Sequence, residues 1–461
     1  MALNQMSLTQ EDIIKTLRNL SLKIKREIEE GISQGMLQPE EGIYSRWKVN
    51  EFEYSEGGVT KYSASGENIT KKTWFKASHK VADSTRKSNE YSSALELLAK
   101  LAGTGDEIVA GLERFIEKLI SSILTDSTFN EVGIETLITI FLKDLKEEPL
   151  KLGAEVELDG IVILAPGIHF KVGDTNILLR QTTIEDLEKE VPLYGFSEPR
   201  LRPSAILNFE FLGRQANEIQ MKVEQAITIL RLFRVGSVKA ISYSMHSESF
   251  TNIALGTLSS GERLRALDKY VITEGDVENL KKFWQAVVKA LPQSFYELGE
   301  VRLDHKDIAY KRYCDALLLN GMSERRIANA VMGLESLFLK GEEKQELVYR
   351  LRIRVAKMFA LLGHDPHKVR DTVGDAYEIR SLFVHGGHLA YKDEKKLNTT
   401  YGDIRTFLKF ILDYLRISII IWAFIKKGKE ELLDLIDDAL IAKDKENLLN
   451  GLLSTARNIV S

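Results

Sequence analysis

Residues 323–341 read SERRIANAVMGLESLFLKG. Ile327, Val331, Leu334 and Phe338 recur at spacings of three and four, which sets them on one face of an α-helix. Ser323 stands where a cap belongs, and Gly341 follows the end. A helix with one apolar stripe needs a surface to cover it. The flanking sequence supplies several, with helices expected over 302–319, 344–362, 366–384, 403–426 and 429–441. The helix at 366–384 opens on Asp365-Pro366, a cap followed by proline at the first helical position, and stops at Gly386-Gly387. The helix at 403–426 is apolar nearly all round near its end, as in a bundle interior or a subunit contact. Residues 301–461 therefore read as an all-α unit.

Toward the N-terminus the pattern changes. Val156, Leu158, Ile161 and Ile163 suggest a strand pair broken at Asp159-Gly160, a turn dipeptide. Strands are also expected at Ile177–Leu179 and Ala205–Phe211, and helices at Thr183–Glu190 and Gln215–Phe233. Residues 151–300 read as an α+β accessory or sensing domain. Residues 1–150 read as a mostly helical region with small strands. Ile13, Leu17, Leu20, Ile24 and Ile28 form one helical stripe, and Ile108, Leu112, Phe115 and Leu119 another. Between them, Ser55–Asn89 is rich in Ser, Lys, Thr and Gly and reads as small strands and long loops. The fold class expected is α+β, predominantly helical, with a mixed N-terminal region followed by a C-terminal helical bundle.

Composition narrows the function classes. The chain has 461 residues, 44% hydrophobic and 28% charged, which excludes a disordered or fibrous protein. Eight prolines, under half the usual share of about 5%, fit a helix-rich chain. A net charge of −4 opposes broad electrostatic wrapping of nucleic acid but leaves room for a local basic cleft. The single cysteine, Cys314, permits no internal disulfide and no zinc ribbon, so a reducing, cytoplasmic setting is expected. The most apolar run, Ile417–Ile425, is too short to span a bilayer, and no membrane partner is expected. LSSGER (258–263) lacks an accompanying G-x-x-x-x-G-K-[ST], so no ATPase is read from it. No metal site and no cofactor are expected.

On the 366–384 helix, the stripe Val369, Val373, Ala376 continues to Arg380 and Phe383. An arginine thus falls on, or at the edge of, the inward face. Periodicity leaves two readings: a surface arginine on a slightly rotated helix, or an arginine lining a polar cleft. His385 follows five residues later, where the glycines end the helix and free the imidazole to turn back. Its alternative role is favourable placement at a helix C-terminus.

The segment YEIRSLFVHGG (377–387) resembles the R-x4–6-H signature of HEPN domains, most closely the ApeA-like branch, in which the motif runs into Gly-Gly. GLESLFLKGEEKQELVYRLRIRVAKMFALLG (333–363) is similar to the preceding helix, acidic linker and arginine-bearing helix of that branch. The resemblance spans roughly 302–440. It departs in having Ser381 where many HEPN motifs carry asparagine. It implies a HEPN-like bundle and metal-independent RNA cleavage, with tRNA or single-stranded RNA as substrate. It also implies a homodimer or higher homo-oligomer in which two Arg-His pairs share one cleft. A role in antiphage defence or toxin-like growth arrest follows, with a phage-derived or other protein activator. In that reading the ribose 2′-OH attacks its own phosphodiester, His385 is the acid or base, and Arg380 stabilises the phosphate.

Around this pair, Glu335 is a candidate partner for Arg380 or for the arginines of the next helix. Asp375 is a candidate to orient a motif residue. Arg350 and Arg354, at i, i+4, are candidates to guide an RNA backbone, against the alternative of a solvated face beside Glu343 and Glu346. His388 is a candidate satellite, or a loop histidine. The competing function is a non-catalytic HEPN module for RNA or protein binding and dimerisation.

Overall fold

The computed structural model describes residues 10–102, 106–188, 190–192, 202–251, 256–259, 268–297, 303–319, 321–387, 389 and 391–460. His388 and residues 260–263 of the LSSGER stretch lie outside them. The chain is 61% helix and 19% strand, so it is α+β and predominantly helical. Among the described residues no helix is long and apolar enough to cross a membrane.

Two hydrophobic cores organise the molecule. The first is helical. It packs α1 (Gln10–Ser33), α2 (Phe75–Arg86), α3 (Asn89–Ala102), α4 (Asp106–Thr125) and α5 (Glu131–Leu145). The stripe Ile13, Leu17, Leu20, Ile24 and Ile28 is wholly buried, and so is Leu112, Phe115 and Leu119 on α4. Asn130 caps α5 by accepting from the Val132 and Gly133 N–H groups.

Between α1 and α2 rises a hairpin of two sixteen-residue strands, β1 (Glu40–Ser55) and β2 (Gly58–Thr73), paired from Glu40↔Thr73 to Ser55↔Gly58. Its length corrects the expectation of small strands and long loops. Most side chains on both of its faces are exposed or half-exposed. A strand wetted on both faces has no apolar alternation to betray it. The turn end of the hairpin is anchored by Tyr54, whose hydroxyl donates to the Ser204 carbonyl and accepts from the Ile163 N–H at 3.0 Å.

The second core runs without a break from the central sheet into the C-terminal helices. The sheet is antiparallel, in the order β10 (Gly256–Ser259), β9 (Lys239–Ser247), β3 (Leu150–Asp159), β8 (Ala205–Gly213), β6 (Thr175–Gln181), β5 (Ile168–Val172). Asp159-Gly160 is not a hairpin turn here. It passes the chain from β3 in this sheet to β4 (Ile161–Ile163), which pairs in parallel with β11 (Tyr270–Ile272). Gly160 makes the change of direction at φ +88°, and a Cβ there would lie 2.4 Å from the Ser237 carbonyl oxygen. The expected helix at 183–190 is a single turn, α6 (Ile184–Leu187). Short β7 (Glu190–Pro192) pairs with β1. Helices α7 (Ala216–Phe233) and α8 (Val277–Ala290) pack on the sheet.

The C-terminal helices are α9 (His305–Leu318), α10 (Ser323–Phe338), α11 (Leu347–Leu361), α12 (Pro366–Val384), α13 (Tyr391–Tyr401), α14 (Ile404–Phe424), α15 (Lys429–Asp438) and α16 (Lys443–Val460). Ile327, Val331, Leu334 and Phe338 of α10 are fully buried. The apolar end of α14, from Ile417 to Trp422, is buried within the same chain. Intramolecular packing, rather than a subunit contact, therefore accounts for that run.

Candidate functional site

The site is built on the end of α12. Asp365 caps its start, accepting from the N–H of His367 at 2.9 Å, and Pro366 occupies the first turn. The buried face is Val369, Thr372, Val373, Ala376 and Ile379. Arg380 follows one step round from Ile379, so its stem leaves the core at the edge of the buried stripe. Its side chain is 24% exposed. At the C-terminus Gly386 turns into the left-handed region at φ +74°, and the Gly387 N–H returns to the Leu382 carbonyl at 2.8 Å. Glycine carries that conformation without steric penalty, and the helix stops there.

Arg380 reaches across to α10. Its Nη2 donates to Glu335 Oε2 at 3.2 Å. The Tyr377 ring, one turn back, lies 5.5 Å from the guanidinium carbon. Burial raises the Glu335 carboxyl above its ordinary range, against the opposing pull of Arg380 and Tyr377. Burial, with the Glu335 charge adding to it, also raises the Tyr377 hydroxyl. Arg380 uses little of its five-donor fork: its Nε is buried with no hydrogen-bond partner. Tyr377 stands inside the quoted motif but was not singled out by spacing. Its signal is position, three residues before Arg380 on a helix face that also turns toward Glu335.

His385 caps α12, its N–H bonded to the Ser381 carbonyl at 3.2 Å. The imidazole is exposed and makes no side-chain bond among the described residues. Ser381 is half-buried between the two. Leu382 and Val384 are 38% and 52% exposed, so the rim beside His385 is apolar.

The other candidates sit elsewhere. Asp375 accepts from Lys396 Nζ at 2.9 Å and from the Tyr401 hydroxyl at 3.0 Å, which ties α12 to α13. It orients neither Arg380 nor His385. Arg354 is 1% exposed, so it is not on a solvated face and does not face an RNA backbone. Its guanidinium is shared between Glu343, at 2.6 and 2.9 Å, and Asp437, at 2.6 and 2.8 Å. A fifth bond goes to the Phe338 carbonyl at 2.8 Å. This corrects the expectation for Arg354: a buried cation is held by paired carboxylates, here largely buried Glu343 and half-exposed Asp437, and this one has all its donors satisfied. Arg350 joins the same cluster through Glu343 at 3.2 Å and remains partly exposed. Burial opposes ionisation of Glu343, but the Arg354 bonds, the Lys340 N–H and the Arg350 charge overcome it and bring the pKa down to about 2.

The arrangement thus brings Arg380, Glu335, Tyr377 and His385 to one end of α10 and α12. Arg380 keeps spare donors, and the His385 imidazole, five residues on, is exposed. Among the described residues no three His, Cys, Asp or Glu side chains converge to hold a metal ion. Comparison with family models, with curated proteins and with solved structures gives no match.

Proposed function

We propose that the protein is a HEPN-type endoribonuclease that cleaves RNA by internal transesterification. The observation that carries this reading is Arg380: held to the wall by one bond to Glu335, it keeps most of its fork unused, five residues before the exposed His385. A planar guanidinium fixed in this way offers paired donors to a phosphate and stabilises charge that develops there. An exposed imidazole moves protons near neutral pH.

In the proposed step the substrate 2′-OH loses its proton to one imidazole and attacks the adjacent phosphorus. The P–O5′ bond breaks, and the departing oxygen takes a proton from a second imidazole. The products are a 2′,3′-cyclic phosphate and a 5′-OH. One histidine cannot act as base and acid in a single step, so the mechanism uses two His385 side chains, one from each protomer of a dimer. The exposed Leu382 and Val384 beside His385 suit such a contact. Defence against phage, released by a protein activator, is the setting that the motif resemblance suggests.

The test is to incubate the purified protein in EDTA with tRNA and with single-stranded RNA, beside Arg380→Ala, His385→Ala and a DNA oligomer of the same sequence. Cleavage of RNA alone, leaving cyclic phosphate ends and lost in both variants, is the expected result. Intact RNA under every activating condition, or equal cleavage by the variants, sinks the catalytic reading. The apolar rim also favours the competing reading, a binding and dimerisation module. That reading predicts RNA retention without cleavage, unaffected by His385→Ala.

A further inference from the structure

A second cleft lies where the sheet-packed helices meet the C-terminal bundle. It holds about 470 Å³ between the end of α7, one face of α8, the middle of α14 and the end of α16. This volume far exceeds what a free inorganic anion needs and suits a small organic ligand.

The lining has one sign of charge. Among the described residues, Arg234, Lys282 and Arg416 are its charged ones, and no carboxylate lines it. Arg416 is 7% exposed. It is fixed by Asp413 at 2.8 Å and by the carbonyls of Leu232 and Phe233 at 2.8 and 3.1 Å. Arg234 is fixed by Asp276 and by the Val271 carbonyl at 2.9 Å. Asp276 is held down to about 2 chiefly by its bond with Arg234. Each arginine therefore has one counter-carboxylate behind it, whereas Lys282 is exposed and has no ion pair among the described residues. Three cations against two carboxylates leave a net positive wall, which attracts an anion.

The remaining lining selects among anions. Asn279 and Lys282 share one face of α8 with Phe283, at spacings of three and four. Asn458 faces them from α16, so the cleft offers two side-chain amides, each both donor and acceptor. Phe233 and Phe283, edge to face with centroids 5.3 Å apart, supply an apolar floor. Cations for a phosphate, amides for a heterocycle's polar edge and an aromatic floor for its flat body belong to one chemistry.

We propose that this cleft binds a free nucleotide. The proposal stands apart from the ribonuclease reading, because it is tested by binding to the full chain and not by activity. The experiment is calorimetric titration at low salt with the mono- and triphosphates of adenosine, guanosine, cytidine and uridine. The corresponding nucleosides, inorganic phosphate and a 5′-phosphorylated RNA oligomer are titrated beside them. At least one nucleotide is expected to bind with a Kd below about 1 mM, with its nucleoside and inorganic phosphate at least about tenfold weaker. Lys282→Glu should weaken that nucleotide about tenfold or more while leaving the melting temperature of the free protein unchanged, since Lys282 is exposed and bonds to no other described residue. Asn279→Ala should narrow the difference between bases. The proposal is overturned if no nucleotide binds below about 1 mM, if Lys282→Glu binds as tightly, or if phosphate matches the nucleotide. It is overturned too if the RNA oligomer binds more tightly than any free nucleotide, which would make the cleft a seat for an RNA end.

Discussion

Arg380 and Arg354 show how differently two arginines a short distance apart in sequence are used. Arg380 has one carboxylate and spare donors; Arg354 has two carboxylates and none to spare. Glu335 reports on the first. Its carboxyl is raised by burial and pulled back by Arg380. A carboxyl raised on folding contributes stability that is full below its ordinary pKa of 4.5 and is lost as pH rises through the folded value. Arg380→Ala removes the opposing cation, so the Glu335 midpoint should climb further. A side-chain carbon NMR titration checks this, with His385→Ala as the control that should leave the midpoint in place. An unmoved midpoint in Arg380→Ala would show the pair to be uncoupled in solution. Glu343 has the opposite sign. Its pKa of about 2 gives stability that is full above 4.5 and lost as pH falls from there toward 2. Arg354→Ala strands two carboxylates and should cost about 3–5 kcal/mol at neutral pH. Urea denaturation measures that cost, and the variant's loss of stability between pH 4.5 and 2 should be shallower than the parent's.

At the scale of elements, close approach between helices decides what a position tolerates. Gly333 lies where α10 meets α14: a Cβ there would stand 2.6 Å from Leu415 Cδ2, and Leu415 is completely buried. Alanine gains about 1 kcal/mol of helix propensity over glycine, but overpacking a rigid core costs about 1–3 kcal/mol. Gly333→Ala should therefore lower the melting temperature. Gly451, inside α16, is exposed with open space around its Cα, and Gly451→Ala should raise it. Opposite signs for the same substitution in two helices are the expected outcome of a thermal melt, and equal signs would refute the packing argument.

The same contrast explains which elements were legible. α10 and α12 carry apolar stripes bounded by a cap, a proline or glycines, and their limits fall within two residues of expectation. α13 carries no stripe to detect, since only Leu397 among its described side chains is buried. The β1–β2 hairpin is not legible over its full length because neither face is apolar. At the site, the stripe put Arg380 at the edge of the core, but nothing in the spacing marked Tyr377. Nor did it show that Arg354, written as one of three alternating arginines, turns inward. Which face of α11 is buried depends on Glu343 and Asp437, and Asp437 is 83 residues away from Arg354.

On the scale of the whole molecule, two cores predict two cooperative units, and a short segment is one of the joins between them, beside the Tyr54 and β7 contacts of the hairpin. Residues 249–251 follow β9 in the second unit, yet Phe250 packs into the first core against Phe115 and Phe141, with centroids 5.8 and 5.5 Å away. Asp144 on α5 holds this segment. Its carboxylate accepts from the N–H groups of Phe250 and Thr251 at 2.6 and 2.7 Å and from the Ser249 hydroxyl at 2.9 Å. Arg114 on α4 donates to the Phe250 and Thr251 carbonyls at 2.8 and 3.2 Å. Asp144→Ala leaves two backbone donors without an acceptor, at about 1–3 kcal/mol each where water cannot reach them. That loss falls on the join and not on either core. Differential scanning calorimetry of Asp144→Ala should therefore show the helical N-terminal unit melting earlier and apart from the rest, while the transition of the sheet and C-terminal helices stays in place. A uniform downward shift of one undivided transition would show that the two cores fold as one unit and that the segment at 249–251 is no boundary between them.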